Sequence, residues 1–358
     1  MNGSPAGAAG LEPFKTWGRS TIASQMPHFS PLPLASRELT IPGLSIGHGT
    51  DNQGKTGVTV VLCPDGATAA AEVRGTATST RQFDSLTRSH HIGSRVHAVV
   101  LAGGSGFGLS CADGVVKELA EKGVGFPTGY RPLPLVPTAI LFDLGFGESS
   151  AQPTRELART ACRVASTGRI ACGSVGVGTG ATVGKALGVE RGMKGGFGFA
   201  SLQSGEGPTV AAAVAVNAFG DVRDPETGRI IAGCRTEVDS EELAEADRVL
   251  AEAQSGALHP WEGNTTLAVV MTDARLDKTA CRKVCEMAFG GFYRTLLPAL
   301  SLFDGDLVIT LACGDHEAHP HQVGVLAERA VTEAILTAVR DADGFGLLPS
   351  VGDLHQPD

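Results

Sequence analysis

The sequence is built from short apolar runs rich in Ala and β-branched residues, each bounded by glycine or proline. They are Gly57 to Leu62, Thr68 to Val73, His97 to Leu101, Pro134 to Leu144, Val210 to Val216, Leu267 to Met271 and Leu307 to Ala312. Runs of this length with such punctuation predict buried strands. The first pairs in a hairpin with Thr40 to His48, which breaks at Pro42-Gly43, and Pro64-Asp65-Gly66 ends it. Helical spacing appears between the runs. Ala112, Val115, Val116 and Leu119 share one face before Gly123, and Leu157, Ala161 and Val164 define a helix from Thr154 to about Ser166. Further helices are expected over Ser240 to Gln254, over Lys278 to Phe289 with Asp277 as N-cap and Gly290-Gly291 as stop, and over Val323 to Val339. The chain has 48 glycines and only 5% aromatic residues. Its core must therefore be Ala, Val and Gly with closely approaching backbones, which suits stacked sheets.

Net charge excludes some functions. The chain carries −9 with no Lys/Arg cluster, so a nucleic-acid partner is not expected. No apolar run reaches the roughly 18 residues of a membrane span, and the start has no charged region followed by an apolar one, so neither a span nor a signal peptide is expected. The cysteines at 63, 111, 162, 172, 234, 281, 285 and 313 are scattered in apolar contexts. They read as reduced and buried, which fits a cytoplasmic protein. Cys281 and Cys285 lie four apart on a helix, but with no second pair, core packing is the expectation and no metal is. Residues 1–36 form a Pro/Gly-rich leader expected to be flexible. Residues 37–358 are expected to form a single domain.

The stretch with the sharpest chemistry is Gly263-Asn264-Thr265-Thr266, immediately before the Leu267 to Met271 strand. A hydroxyl stands where a loop becomes a strand, within reach of the preceding backbone carbonyl. Attack of Thr265 Oγ on the Asn264 carbonyl, an N-to-O acyl shift and hydrolysis would leave Thr265 as a new chain terminus. Its free amine, titrating near pH ~7.7–8.0, could then take the hydroxyl proton without a histidine. The same tetrapeptide could simply start a strand. The polar segment Ser255 to Gly263, with Pro260, reads as a surface linker suited to being cut.

Other segments admit two readings each. Gly103-Gly104-Ser105-Gly106-Phe107-Gly108 follows a strand and opens a helix, the setting of a dinucleotide turn, yet its spacing is Gly-x-Gly-x-Gly and no ribose-binding acid follows. Tight packing, or glycine amides lining a substrate pocket, are the alternatives to a nucleotide-dependent oxidoreductase. Gly176 to Lys185 resembles a phosphate loop ending in lysine, but Ala186 stands where a hydroxyl is required. Lys185 is then a turn residue, or an ammonium beside a nucleophile. Asn217 is a strand-end cap or an amide donor to an oxyanion, and Asp304 and Asp306 shape a turn or act as a pair. His90-His91 lacks a third ligand, and Pro320 interrupts Asp315, His316, His319 and His321, so neither group is read as a metal site.

The ordered landmarks together resemble the L-aminopeptidase/D-esterase family, which includes β-peptidyl aminopeptidases and the nylon-oligomer endo-hydrolase. They run from Ile41-Pro42-Gly43-Leu44 through His97 to Ser105, Ile140-Leu141-Phe142-Asp143, Gly178 to Lys185, and Val216-Asn217 to Gly263-Asn264-Thr265-Thr266 and Asp304-Gly305-Asp306. The resemblance implies an α+β fold, a four-layer αββα sandwich like that of N-terminal-nucleophile hydrolases but differently connected. It also implies autocleavage between 264 and 265 into an α chain (1–264) and a β chain (265–358). By resemblance Thr265 is the nucleophile, Lys185 the nearby lysine, Asn217 the oxyanion donor, and Asp304 and Asp306 the acidic pair. Thr266 is the rival nucleophile, but Thr265 stands seven residues before Thr272 of Thr272-Asp273-Ala274, the offset of the family's nucleophile. Some members have tyrosine where this chain has Phe142. The resemblance implies an aminopeptidase or amide hydrolase acting on small peptides or amides, without a cofactor, assembled as tetramers or larger. Hydrolysis of β-peptide or synthetic oligoamides is the alternative, and a non-catalytic scaffold that keeps the fold is the third.

Overall fold

The computed structural model describes residues 34–93, 95–253 and 263–354. Its framework is one hydrogen-bonded sheet of nine strands among the described residues, shared between two facing halves by a single long strand. Strand β1 (Ser45–Asp51) forms a hairpin with the first part of β2 (Thr56–Val73). The Pro64-Asp65-Gly66 turn predicted to end a strand is instead an irregularity inside β2, where the register with β3 (Arg95–Ala102) shifts between Leu62 and Ala67. Gly66 takes φ +84°, a left-handed conformation that glycine adopts without a Cβ clash. Beyond this bend, β2 leaves β1 and pairs with β8 (Leu307–His316). The two predicted strands are thus one.

One half contains β1, the start of β2, β3, β4 (Thr138–Ile140) and the short strand Thr80–Arg81. The other runs from β5 (Gly196–Gln203) through β6 (Thr209–Asn217) and β7 (Thr265–Ala274) to β8 and the end of β2. Neighbours are antiparallel except β7 with β8 and β3 with β4. Strand β5 lies inside the glycine tract and carries no run of β-branched residues. Its glycines are explained by close approach: a Cβ on Gly198 would come within 1.8 Å of the Ala334 carbonyl oxygen.

Successive side chains on a strand point to opposite faces. Leu267, Val269 and Met271 accordingly join Val61, Val99 and Leu101 between the two halves. Ala268 and Val270 instead face helices α3 (Lys278–Thr295) and α4 (Pro320–Arg340). On the opposite outside, Val58, Val60 and Val100 pack against α1 (Cys111–Glu121) and α2 (Arg155–Val164). Three apolar layers therefore separate four structural layers in the order αββα.

Packing overrides local signals in several places. Helix α3 does not stop at Gly290-Gly291 but runs to Thr295. A Cβ there would fall within 2.8 Å of Glu328 or 2.7 Å of Val331, so these glycines let α4 lie close. Helix α4 begins at Pro320, whose missing N–H suits the first turn. The helix expected over Ser240 to Gln254 is confined, among the described residues, to Ala246–Glu252. Of the expected leader, only 34–36 are described, and Ser36 exchanges backbone hydrogen bonds with Ser201. Most of the expected linker before Gly263 lies outside the described residues. None of the described helices is long and apolar enough to cross a membrane.

Candidate active site

Strand β7 begins at Thr265 because its neighbour β6 ends at Asn217, and the two residues are direct antiparallel partners. On the other side Asn264 lies alongside Asp304 in a parallel bridge. The Asn264 N–H donates to the Phe303 carbonyl at 3.1 Å, and the Gly305 N–H donates to the Asn264 carbonyl at 2.8 Å. The Thr265 hydroxyl donates to that same Asn264 carbonyl. The peptide between 264 and 265 is thus held with its carbonyl oxygen on a backbone donor and the following hydroxyl against it. Thr265 is buried. A Cβ on Gly305 would lie 2.7 Å from Thr265 Oγ1, which leaves room only for glycine here unless the hydroxyl moves.

The two carboxyls flank this peptide. Asp306 Oδ1 accepts from the Thr266 N–H at 2.6 Å. Asp304 accepts from the Ser301 N–H at 2.8 Å and the Phe219 N–H at 3.2 Å. The segment 74–77 straps the turn down, with Arg74 and Gly75 donating to the Asp306 carbonyl and Thr76 and Ala77 to that of Asp304. Burial pushes the Asp306 carboxyl well above its ordinary range, and the neighbouring Asp304 adds to the shift. Burial also raises Asp304, opposed by hydrogen bonds and by the charge of Lys185. Both shifts favour the neutral carboxyl, so the pair resists carrying two negative charges at once.

Lys185 and Asn217 form the other wall. Lys185 Nζ donates to Asn217 Oδ1 at 3.0 Å and to the Asn217 carbonyl at 3.2 Å. The Thr182 N–H donates to the same Oδ1 at 2.9 Å. With the Thr182 hydroxyl a third donor at 3.4 Å, the amide's orientation is fixed, so Nδ2 faces the Phe142 carbonyl at 2.9 Å. The lysine is buried rather than a solvated turn residue, and the glycine tract before it supplies the bends that bring it inward, Gly184 at φ +67° among them. Thr265, Lys185, Asn217, Asp304 and Asp306 are therefore brought together. The hydroxyl of Thr266, the rival nucleophile, is buried and makes no hydrogen bond.

A cleft of about 530 Å³ opens beside Thr265, lined by Thr76, Thr78, Ser79, Ser105, Phe142 and Leu302 among others. That volume is typical of small-molecule sites. The Phe142 ring abuts Gly263. Ser105 comes from the Gly103 to Gly108 loop. That loop closes on protein, since the Gly104 N–H donates to Asp143 Oδ1 at 2.6 Å, and a Cβ on Gly103 would meet Asp143 at 2.1 Å. Gly103, Gly104 and Gly108 thus serve close packing, and the loop sets one cleft wall. Residues 90 and 91 lie away from this cleft, and His319 caps α4 by accepting the His321 N–H.

Sequence reasoning missed three contributors. The Gly305 N–H is a backbone group with no side-chain signature. Asp143 stands in a motif with no role of its own legible there, yet it accepts from Thr56 at 2.6 Å and organises the loop that carries Ser105. Lys194 stands in the same glycine tract as Lys185, and nothing in its local sequence marks it as fully buried.

Comparison with known proteins agrees with this architecture. The chain is 36% identical over 332 residues to an uncharacterized aminopeptidase of Mycobacterium leprae, covering 86% of this chain and 88% of the relative. It is 25% identical over 355 residues to a 6-aminohexanoate-oligomer endohydrolase of Kocuria sp., covering 94% and 92% of the two chains. Among solved structures it resembles a Burkholderia sp. beta-aminopeptidase (TM-score 0.64, 20% identity, 90% and 95% covered). It also resembles the L-aminopeptidase D-Ala-esterase/amidase of Ochrobactrum anthropi, described as a variant of the Ntn hydrolase fold (TM-score 0.63, 17% identity, 87% and 89% covered). The α+β architecture is thus Ntn-hydrolase-like, and the activity class is that of a peptidase or amidohydrolase. The model of peptidase family S58 matches residues 39–345, and the chain belongs to that family.

Proposed function

We propose that this chain cuts itself between Asn264 and Thr265 and then acts as an aminopeptidase on small peptides or amino-acid amides, with Thr265 as its N-terminal nucleophile. The observation that carries the reading is the geometry of one peptide. Its carbonyl oxygen takes the Gly305 N–H at 2.8 Å, while the Thr265 hydroxyl stands against it. Attack of Oγ on the carbonyl carbon forms a C–O bond and an oxyanion that Gly305 is placed to stabilise. The Asp304/Asp306 pair takes up the hydroxyl proton and returns one to the departing nitrogen. Breakage of the C–N bond leaves an ester between Asn264 and Thr265 Oγ. Water then releases the Asn264 carboxylate and frees the Thr265 amine.

In the second stage that amine accepts the Oγ proton as Oγ attacks a substrate amide. Asn217, paired across the ladder from Thr265, supplies the oxyanion donor, and Lys185 holds its amide oxygen. The acyl-threonine ester is resolved by water. Intact-mass measurement of purified protein tests the reading: two fragments, residues 1–264 and 265–358 apart from initiator-methionine trimming, are expected. An uncut chain that still hydrolysed amides would overturn it.

A second reading, hydrolysis of oligoamides, draws support from the cleft. Apart from the amide of Asn264, the described residues that line it are apolar or carry hydroxyls, with no charged side chain among them. Such a wall suits an uncharged acyl group.

A further inference from the structure

We infer that Lys194 is a positioning residue for the oxyanion amide, acting through the Ala181–Thr182 peptide to hold Asn217. The inference rests on the proposed role of Asn217. Lys194 has no exposed surface. Its Nζ donates to the carbonyls of Gly178 and Ala181 at 2.8 Å each and of Gly195 at 3.1 Å. It makes no hydrogen bond to a carboxylate among the described residues, and the Phe146 ring lies 5.4 Å from the ammonium. Burying an ammonium without a directly bonded counter-charge is costly, and three carbonyl acceptors are what make the position tenable.

The carbonyls it takes are the informative part. The Ala181 carbonyl and the Thr182 N–H belong to one planar peptide. Lys194 grips the oxygen of that peptide at 2.8 Å, while its N–H donates to Asn217 Oδ1 at 2.9 Å. A cation on the carbonyl polarises the unit and strengthens its N–H as a donor. Lys194 and Lys185 thus converge on one amide oxygen, Lys185 directly and Lys194 through a peptide. The backbone reinforces the grip: Lys194 pairs with Thr182 across a short antiparallel ladder, and the Gly195 N–H also donates to the Ala181 carbonyl at 2.9 Å.

The groups facing Lys194 are mixed in sign. Burial lowers its ammonium to about 7, the charges of Asp143 and Asp343 oppose that shift, and Lys185 adds to it. A neutral amine has two donors for three carbonyls, so deprotonation would release one of them.

The test is a double-mutant cycle between Lys194→Met and Asn217→Ala, read as turnover and as the first-order rate of self-cleavage. Met keeps the stem's volume and removes every donor, while the Ala181 carbonyl keeps its bond from Gly195. In the wild-type background, Lys194→Met should lower kcat about tenfold or more with KM changed less than about threefold. In the Asn217→Ala background the same change should cost less than about twofold, because nothing is left to position. Equal losses in both backgrounds, or near-wild-type rates in Lys194→Met, would overturn the inference. Lys194→Gln, which keeps a donor, is the second variant should Met fail to fold, and it should show the same non-additivity with a smaller loss. If wild type neither cuts nor turns over, the functional reading fails. If wild type is active and the cycle is additive, only the role of Lys194 fails.

Discussion

Asn217 and Thr265 are direct partners on adjacent antiparallel strands, one at the last residue of its strand and the other at the first. The relationship fixes the proposed nucleophile and oxyanion donor through a backbone ladder rather than through loops, whose positions are less constrained. In the proposed mechanism it would also separate two donors in time. Gly305 already holds the carbonyl that self-cleavage would attack, whereas Asn217 Nδ2 rests on the Phe142 carbonyl.

Thr265→Ala should remain one chain and be inactive, because no hydroxyl is left to attack. Thr265→Ser should retain some processing. Thr266→Ala should process normally, since its hydroxyl makes no hydrogen bond and its N–H, which Asp306 uses, is kept. Intact-mass spectra of the three variants decide this. Splitting of Thr265→Ala at the same bond would end the N-terminal-threonine mechanism.

Asn217→Ala should lower turnover by about 10²–10³, the usual cost of one oxyanion donor. Lys185→Ala should slow both self-cleavage and turnover, because the ammonium orients Asn217 and counters the charge of Asp304. Steady-state kinetics and a processing time course separate the two effects. Full processing and full activity of Lys185→Ala would make that lysine merely structural.

The side chains of the candidate site were legible in the sequence, and its supporting contacts were not. The order Lys185, Asn217, Thr265, Asp304, Asp306 with their flanking motifs singles them out as candidates, and the structure brings those candidates together. Gly305 entered only as the residue between two aspartates, since a backbone N–H has no residue type. Lys194 looks like Lys185 in sequence, and only the fold shows that its charge is sealed inside. Strand β5 was hidden because its glycines, required by contact with α4, erase the β-branched signal. Gly290-Gly291 misled for the related reason that helix–helix approach outweighs a local stop signal.

The cleft should prefer uncharged acyl groups. In a panel of amides that differ only in the side chain next to the scissile bond, apolar or hydroxyl-bearing members should exceed Lys, Asp or Glu members by about 10–100-fold in kcat/KM, since a charge would be desolvated without a partner. Equal rates across the panel would show that the described walls of the cleft do not contact the acyl group.

A pH effect on stability is expected at Asp221, away from the cleft. Its carboxylate accepts from the Cys234 N–H at 2.8 Å and the Ala246 N–H at 2.7 Å, and burial pushes its pKa up to about 6. A group raised on folding binds its proton more tightly in the native state. Its contribution is therefore full below the unfolded value near pH ~4 and is lost as pH rises through about 6. The two-unit difference corresponds to an order of magnitude of about 3 kcal/mol. Asp221→Asn should be less stable at low pH, because one acceptor becomes a donor, yet should lose less stability between pH 4 and 7. Urea melts at the two pH values measure that slope, and parallel slopes in both proteins would refute the assignment.

Gly305→Ala offers the most local test of the proposed self-cleavage. The new methyl would stand 2.7 Å from Thr265 Oγ1 and 2.8 Å from the Ala77 carbonyl oxygen, whereas the backbone there needs no left-handed conformation and the N–H to Asn264 is retained. Rotation of the Thr265 hydroxyl away from the scissile carbonyl relieves the first contact, and the second is relieved by a small shift of the Ala77 backbone. Processing should then slow by at least about 10²-fold, as misplacement of about an ångström typically costs, while the melting temperature falls by only a few degrees. Such a variant would accumulate as a folded, uncut chain. Processing at the wild-type rate would mean that the hydroxyl does not attack from the position it occupies against Gly305.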